Sequence, residues 1–175
     1  MSTAPNRAKV PFDFHPIEPA DAGGEEGWHS WNLVDRTRYN TAVLGELHVR
    51  REEERCRLRM FPERHHTNLG DNIHGAATLG LIDIALFATM HMVGSGEAGP
   101  SVTVELSTQF VGAGDPARPL DALTEIVQET GRLMFVRGQC VQRDDAGAQW
   151  TVASYSGIIR KMKPRTQSGA EMAGS

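Results

Sequence analysis

An aspartate inside an otherwise uncharged apolar run is the first residue here whose setting asks for chemistry. Asp83 stands among Leu81, Ile82, Ile84 and Ala85, and on a helix its same-face neighbours are Leu79, Gly80, Phe87 and Met90. Burying a carboxylate in such company is costly. It must either pair with an Arg or cap a loop from a neighbouring strand, or act on a substrate. The second candidate stretch is H-T-N-L-G-D-N-I-H-G, His66 to Gly75, which leads directly into that run. Backbone N–H groups at a helix start point outward without partners and carry partial positive charge. Gly75 has no side chain, so a ligand oxygen can approach its N–H, an arrangement suited to the oxyanion of acyl transfer. Asn68 could orient water or a carbonyl, and His74 could donate a hydrogen bond or shuttle a proton. Gly75 and Asp83 lie about 12 Å apart along a helix axis, so one reacting carbon cannot meet both within one copy. Two such helices running antiparallel about a two-fold axis would bring one start beside the other's middle, giving composite sites in a dimer.

The elements that must position these groups are legible as three patterns. Residues 75–92 read as a helix that is apolar all round and therefore buried all round, with Asp71-Asn72 offered as its cap. At 18 residues with an ionisable group at its middle, the run falls short of the ~20 apolar residues of a membrane span. Two alternating runs before it, around Val43–Val49 and Glu54–Phe61, read as a hairpin whose mixed charges from Arg50 to Arg59 form a solvated face. After the helix, residues 102–111, 120–129, 133–142 and 150–162 alternate as strands, the last three forming a meander. The layout is α+β: a curled antiparallel sheet wrapped around one long central hydrophobic helix. One sheet face cannot cover a helix that is greasy on every side, which points to a second copy. Residues 1–31, rich in Pro and Gly and ending in Trp28 and Trp31, read as an extended arm whose tryptophans dock on the body. Residues 32–163 form the domain and 164–175 a flexible tail.

Composition narrows the function classes. Of 175 residues, 39% are apolar and 18 are Gly, the usage of one folded domain. A net charge of −4 argues against a nucleic-acid partner. Cys56 and Cys140 stand alone, with no zinc or redox spacing, and residues 1–27 lack the apolar run of a signal peptide; a reducing, cytoplasmic setting is the expectation. His65, His66, Asp71 and His74 lie close in sequence, but no pair of helical histidines spaced by four supports a metal site. No G-x-S-x-G elbow points to a serine esterase, and Pro116 spoils the glycine-rich stretch 112–116 as a dinucleotide loop.

The run N-L-G-D-N-I-H-G-A followed by L-I-D, with Asp83 nine residues after His74, resembles the PaaI-like hotdog-fold acyl-CoA thioesterases. V-T-V-E-L-S-T-Q-F (102–110) resembles their strand after the helix and G-R-L-M-F (131–135) their next turn, the likeness covering about residues 42–162. The resemblance implies a hotdog fold and Asp83 as general base or nucleophile. It implies the Gly75 amide as oxyanion donor, Asn68 and His74 as positioning groups, and Thr103 as a hydroxyl assisting the attacking water. It also implies a homodimer or dimer of dimers acting on an acyl-CoA, with no cofactor beyond the CoA carried by the substrate. Arg118, Arg132, Arg160 and Lys161 are available for the CoA phosphates. The family's His-Gly-Gly becomes His74-Gly75-Ala76 here, a change bearing on acyl specificity. Hotdog folds also host acyl dehydratases and could serve as non-catalytic acyl-CoA binders, so both stay open as alternatives.

Overall fold

The computed structural model describes residues 12–95 and 101–162; the expected tail, 164–175, and the first part of the arm, 1–11, lie outside them. The elements in chain order are β1 (Phe12–Asp13), β2 (His29–Ser30), β3 (Asn32–Leu33), α1 (Tyr39–Leu44), β4 (Leu47–Glu52), β5 (Arg55–Met60), α2 (Gly75–Met92), β6 (Ser101–Phe110), β7 (Leu120–Glu129), β8 (Leu133–Arg143) and β9 (Gln149–Lys161). Seven strands pair antiparallel in the order β2-β4-β5-β7-β8-β9-β6, while β1 and β3 form a small separate pair. The meander β7-β8-β9 appears as the alternation predicts. β6 does not join β7, its neighbour in sequence, but crosses to the far side of β9 and forms the sheet's edge.

The sheet curls around α2, whose bounds coincide with the uncharged run. Leu81, Ile82 and Leu86 are fully buried against Leu58 and Met60 of β5, Leu120 of β7, Met134 of β8 and Ile159 of β9. The helix passes a length and hydropathy test for a membrane span, but most of its surface is covered by the sheet. A cap at Asp71-Asn72 is not what forms. His74 is the cap, with extended backbone, and its Nδ1 accepts the Ala76 N–H at 2.9 Å. Where an alternating strand was expected from Val43, residues 39–44 coil into α1 instead. They pack on α2 at Gly80, where a Cβ would fall 2.7 Å from the Tyr39 hydroxyl and 3.3 Å from Leu44.

The mixed-charge hairpin is a solvated face only around its turn, where Arg51, Glu53, Glu54 and Arg55 are exposed; its other charges are covered. Arg57 is only 4% exposed, held between Glu52 (Nε–Oε1 2.7 Å) and Asp121 of β7 (Nη1–Oδ2 2.7 Å). Arg59 grips the same Asp121 at 2.7 and 2.9 Å. Trp28, fully buried, is sandwiched between the guanidinium groups of Arg50 and Arg59, 4.6 and 4.4 Å from its ring centre, and its indole N–H donates to Glu25 at 2.9 Å. The tryptophan from the arm covers the charges and removes them from water. Burial works to raise the Glu52 pKa, but the hydrogen bonds from Arg57 and Arg50 outweigh it and hold the carboxyl below its ordinary value. Both cysteines are buried; burial pushes Cys56 up to about 12 and Cys140 upward as well, so neither is a thiolate near neutrality.

Candidate active site

Asp83 sits at the middle of α2: its helix neighbours are apolar, and its carboxylate turns toward β6. There Thr103 Oγ1 donates to Asp83 Oδ1 at 2.7 Å. Among the described residues no Arg, Lys or His forms an ion pair with Asp83, so it is not the partner of an internal arginine. The carboxylate is half-buried, on the least covered stripe of α2, beside the β6 edge: Ala76, Leu79, Asp83 and Phe87, spaced by three, four and four.

At the amino end of the same helix, the loop is built by its own side chains. Asn68 Oδ1 accepts the N–H groups of Gly70 (2.8 Å) and Asn72 (3.2 Å), and Asn72 O accepts the Asn68 N–H at 2.9 Å. The Asn68 oxygen is thereby committed to the loop, and its amide NH2 is the end left to meet a ligand. Asp71 adopts positive φ (55°) and is tied to Arg64 at 2.6 Å. Beneath this loop His66 is clamped: its Nδ1 accepts the Glu63 N–H (2.8 Å), its Nε2–H donates to Val43 O (2.6 Å), and its carbonyl accepts the His74 N–H (2.7 Å). Burial lowers the His66 pKa more than the Val43 bond raises it. Ile73 N–H donates to Gly114 O at 2.8 Å, fixing the loop to the turn after β6.

The helix start then follows from the cap. His74 Nδ1 takes the Ala76 N–H, and His74 O takes those of Ala77 (3.0 Å) and Thr78 (3.2 Å). The Gly75 N–H finds no partner among the described residues. His74, exposed, keeps its proton on Nε2 when neutral, because Nδ1 is an acceptor. On its side-chain face Gly75 is flanked by an aromatic ring. The Phe110 ring lies 3.2 Å from where a Cβ would stand, and Phe110 was not singled out by any motif.

The five predicted groups fall into two sets: Asn68, His74 and Gly75 at the start of α2, and Asp83 with Thr103 two turns along. The expected cations divide in the same way. Arg160 pairs in register with Val102, next along the strand to Thr103 but on the opposite sheet face from Thr103 and its buried partner Ile159, and Arg132 adjoins it through the Lys161 N–H to Arg132 O bond of 2.8 Å. Arg118 is at the other end, already gripped by Asp115 (3.2 Å) and Asp145 (2.7 and 3.2 Å); it is spoken for by carboxylates rather than free for phosphate. Lys161 is likewise held by Glu129 at 2.7 Å.

A Ser30–His15–Asp13 cluster in the arm has the residue types of a hydrolytic triad but not its wiring. One nitrogen, His15 Nδ1, faces both Ser30 Oγ (3.0 Å) and Asp13 Oδ1 (2.7 Å), so no proton can be relayed across the ring. Among the described residues no three His, Cys, Asp or Glu side chains gather as a metal site needs.

A curled antiparallel sheet closed over one long apolar helix is the hotdog fold, of class α+β. Residues 70–148 match the family model of the thioesterase superfamily. A thioesterase family protein from Silicibacter pomeroyi superposes with a TM-score of 0.61 at 17% identity, covering 71% of this chain and 89% of that one. The Escherichia coli PaaI protein from the phenylacetic acid degradation operon gives 0.59 at 16% identity, covering 73% and 86%. Zebra fish thioesterase superfamily member 2 gives 0.57 at 20%, covering 69% and 85%. No curated protein matches the sequence.

Proposed function

We propose that the protein is an acyl-CoA thioesterase, hydrolysing a thioester to a free acid and CoA at sites shared between two copies. The observation that carries this reading is the half-buried Asp83, free of cationic partners among the described residues and oriented by Thr103 Oγ1 at 2.7 Å. A carboxylate held this way is an acceptor waiting for a proton or an electrophile. The unpaired Gly75 N–H supplies the complementary donor for a carbonyl oxygen becoming negative.

The two sets are too far apart along one helix, about 12 Å, to serve one carbon. A second copy resolves this. The stripe Ala76–Leu79–Asp83–Phe87 lies outside the core, and β6 is a ten-residue sheet edge with Val104 57% exposed. A long open sheet edge seeks a partner strand. Two chains joined through β6, with antiparallel α2 helices, bring the Gly75 end of one beside Asp83 of the other.

In this site the thioester carbonyl oxygen rests on the Gly75 N–H, with the Asn68 amide and His74 Nε2–H beside it. A water gives its proton to Asp83 as its oxygen bonds the carbonyl carbon; the C–S bond then breaks and CoA leaves as thiolate. Attack by Asp83 itself, followed by hydrolysis of the anhydride, uses the same groups. Thiolate is a good leaving group, so base and oxyanion support suffice without a cofactor. Arg132 and Arg160, exposed beside the Thr103 end, are the cations offered to the CoA phosphates. The test is release of free thiol from a panel of acyl-CoAs. Hydrolysis by the wild type, lost in Asp83→Asn, supports the reading. Dehydration of a 3-hydroxyacyl-CoA without thiol release, or saturable binding with neither reaction, contradicts it.

A further inference from the structure

Phe110, the last residue of β6, combines two properties that rarely occur together. Its ring is packed close, with Cζ and Cε1 at 3.2 and 3.4 Å from the position of a Cβ on Gly75, yet Phe110 remains 52% exposed. The Gly75 N–H beside it has no partner among the described residues. Two residues back along the same strand, Thr108 Oγ1 is buried and equally without a hydrogen bond. A half-exposed ring gains from being covered by apolar surface, and an unpaired amide gains from a carbonyl oxygen. One group that meets both needs is an acyl group, with its carbonyl on the amide and its first carbons against the ring.

From this juxtaposition we infer that Phe110 is the specificity-determining residue of the site, admitting acyl groups that are unbranched next to the carbonyl and rejecting branched ones; this rests on the thioester reading above. The steric argument is direct. The ring leaves no ordinary van der Waals room for a methyl group on Gly75, and in the inferred pose, with the acyl chain laid on the ring, a methyl branch on the carbon next to the carbonyl is pressed against it. A straight chain turns its hydrogens to the ring and lies along it. Ala76, where relatives of the motif carry a second Gly, stands exposed on the helix's outer side.

The experiment compares kcat/KM for butanoyl-CoA and 2,2-dimethylpropanoyl-CoA in the wild type, Phe110→Leu and Phe110→Ala, with urea midpoints checking that each variant is folded. The wild type is expected to favour the straight chain, and Phe110→Ala to raise the branched-to-straight ratio at least about tenfold, the scale of reshaping an apolar pocket. Phe110→Leu falls between and carries the comparison if the alanine variant does not fold. A structural role for the ring would lower both rates together and leave the ratio alone. An unchanged ratio in folded, active variants overturns the inference while leaving the thioester reading intact. A wild type that handles both substrates equally also overturns it. A wild type that releases thiol from no acyl-CoA in a wider panel overturns the thioester reading, and this inference with it.

Discussion

At the scale of single residues, the site's chemistry comes down to which groups are left with something to do. Most polar groups near α2 are consumed by structure: Asn68 Oδ1 by its loop, His74 Nδ1 by the cap, Arg118 by Asp115 and Asp145. Asp83 retains one oxygen beyond its bond to Thr103, and Gly75 retains its N–H. Replacing Asp83 with Asn keeps the shape and removes the base; turnover should fall at least about a hundredfold with an unchanged urea midpoint. Thr103→Ala removes a hydrogen bond to a charged group, and kcat should drop about tenfold, whereas Thr103→Ser should recover most of the rate. A Thr103→Ser variant as impaired as the alanine one would show that the methyl, not the hydroxyl, matters. The Asp83 position was legible because a lone carboxylate in an apolar run conflicts with packing alone. Thr103 was legible only through family likeness, since nothing local in V-T-V-E-L distinguishes its hydroxyl from any other strand threonine. Phe110 was not legible at all: its contact with Gly75 joins positions 35 residues apart, and an aromatic at a strand's end reads as ordinary core.

Among the elements, α2 and the meander could be read closely because each has an unbroken period and clear stops. α1 was misread because six residues with an apolar A-V-L segment fit a short strand as well as a helical turn. What decides for helix is tertiary: Gly80 gives α1 a place to sit. The loop before α2 depends on His66, whose two ring nitrogens and carbonyl each hold a different segment. Its lowered pKa has a definite sign. Below the ordinary value of 6.5 the unfolded chain takes up a proton that the folded one resists, so this contribution is present above that pH and is lost as pH falls through the folded value. Protonation would also place a hydrogen on Nδ1 where the Glu63 N–H now points. The urea midpoint should therefore decline between pH 7.5 and 5.5, and more shallowly in His66→Asn; parallel slopes would remove His66 from the account.

Over the whole molecule, the described part of the arm, from residue 12 on, is part of the body. β2 adds a strand to the main sheet, and Trp28 covers an ion network that links β4, β5 and β7. That network was read as a wet surface because its cover comes from residues more than twenty positions upstream, a contact no local pattern records. Trp28→Ala should cost about 3–5 kcal/mol, since it deletes a buried ring and leaves Arg50 and Arg59 without their apolar spacer. A loss below about 1 kcal/mol would mean the arm is a passenger.

The same scale holds the central claim, that Gly75 and Asp83 act together only across two chains. Gly75→Pro removes the amide hydrogen at the first helical position, where the extended backbone of His74 suits proline, and its ring pushes aside the Phe110 side chain that lies 3.2 Å from where a Cβ would stand. Alone, Gly75→Pro and Asp83→Asn should each be nearly inactive. Unfolded together in equal amounts and refolded, half of the dimers contain one chain of each kind, and each of those has one intact site. Thiol release should then return to about a quarter of the wild-type rate. Mixed dimers that form and remain inactive would contradict the shared site.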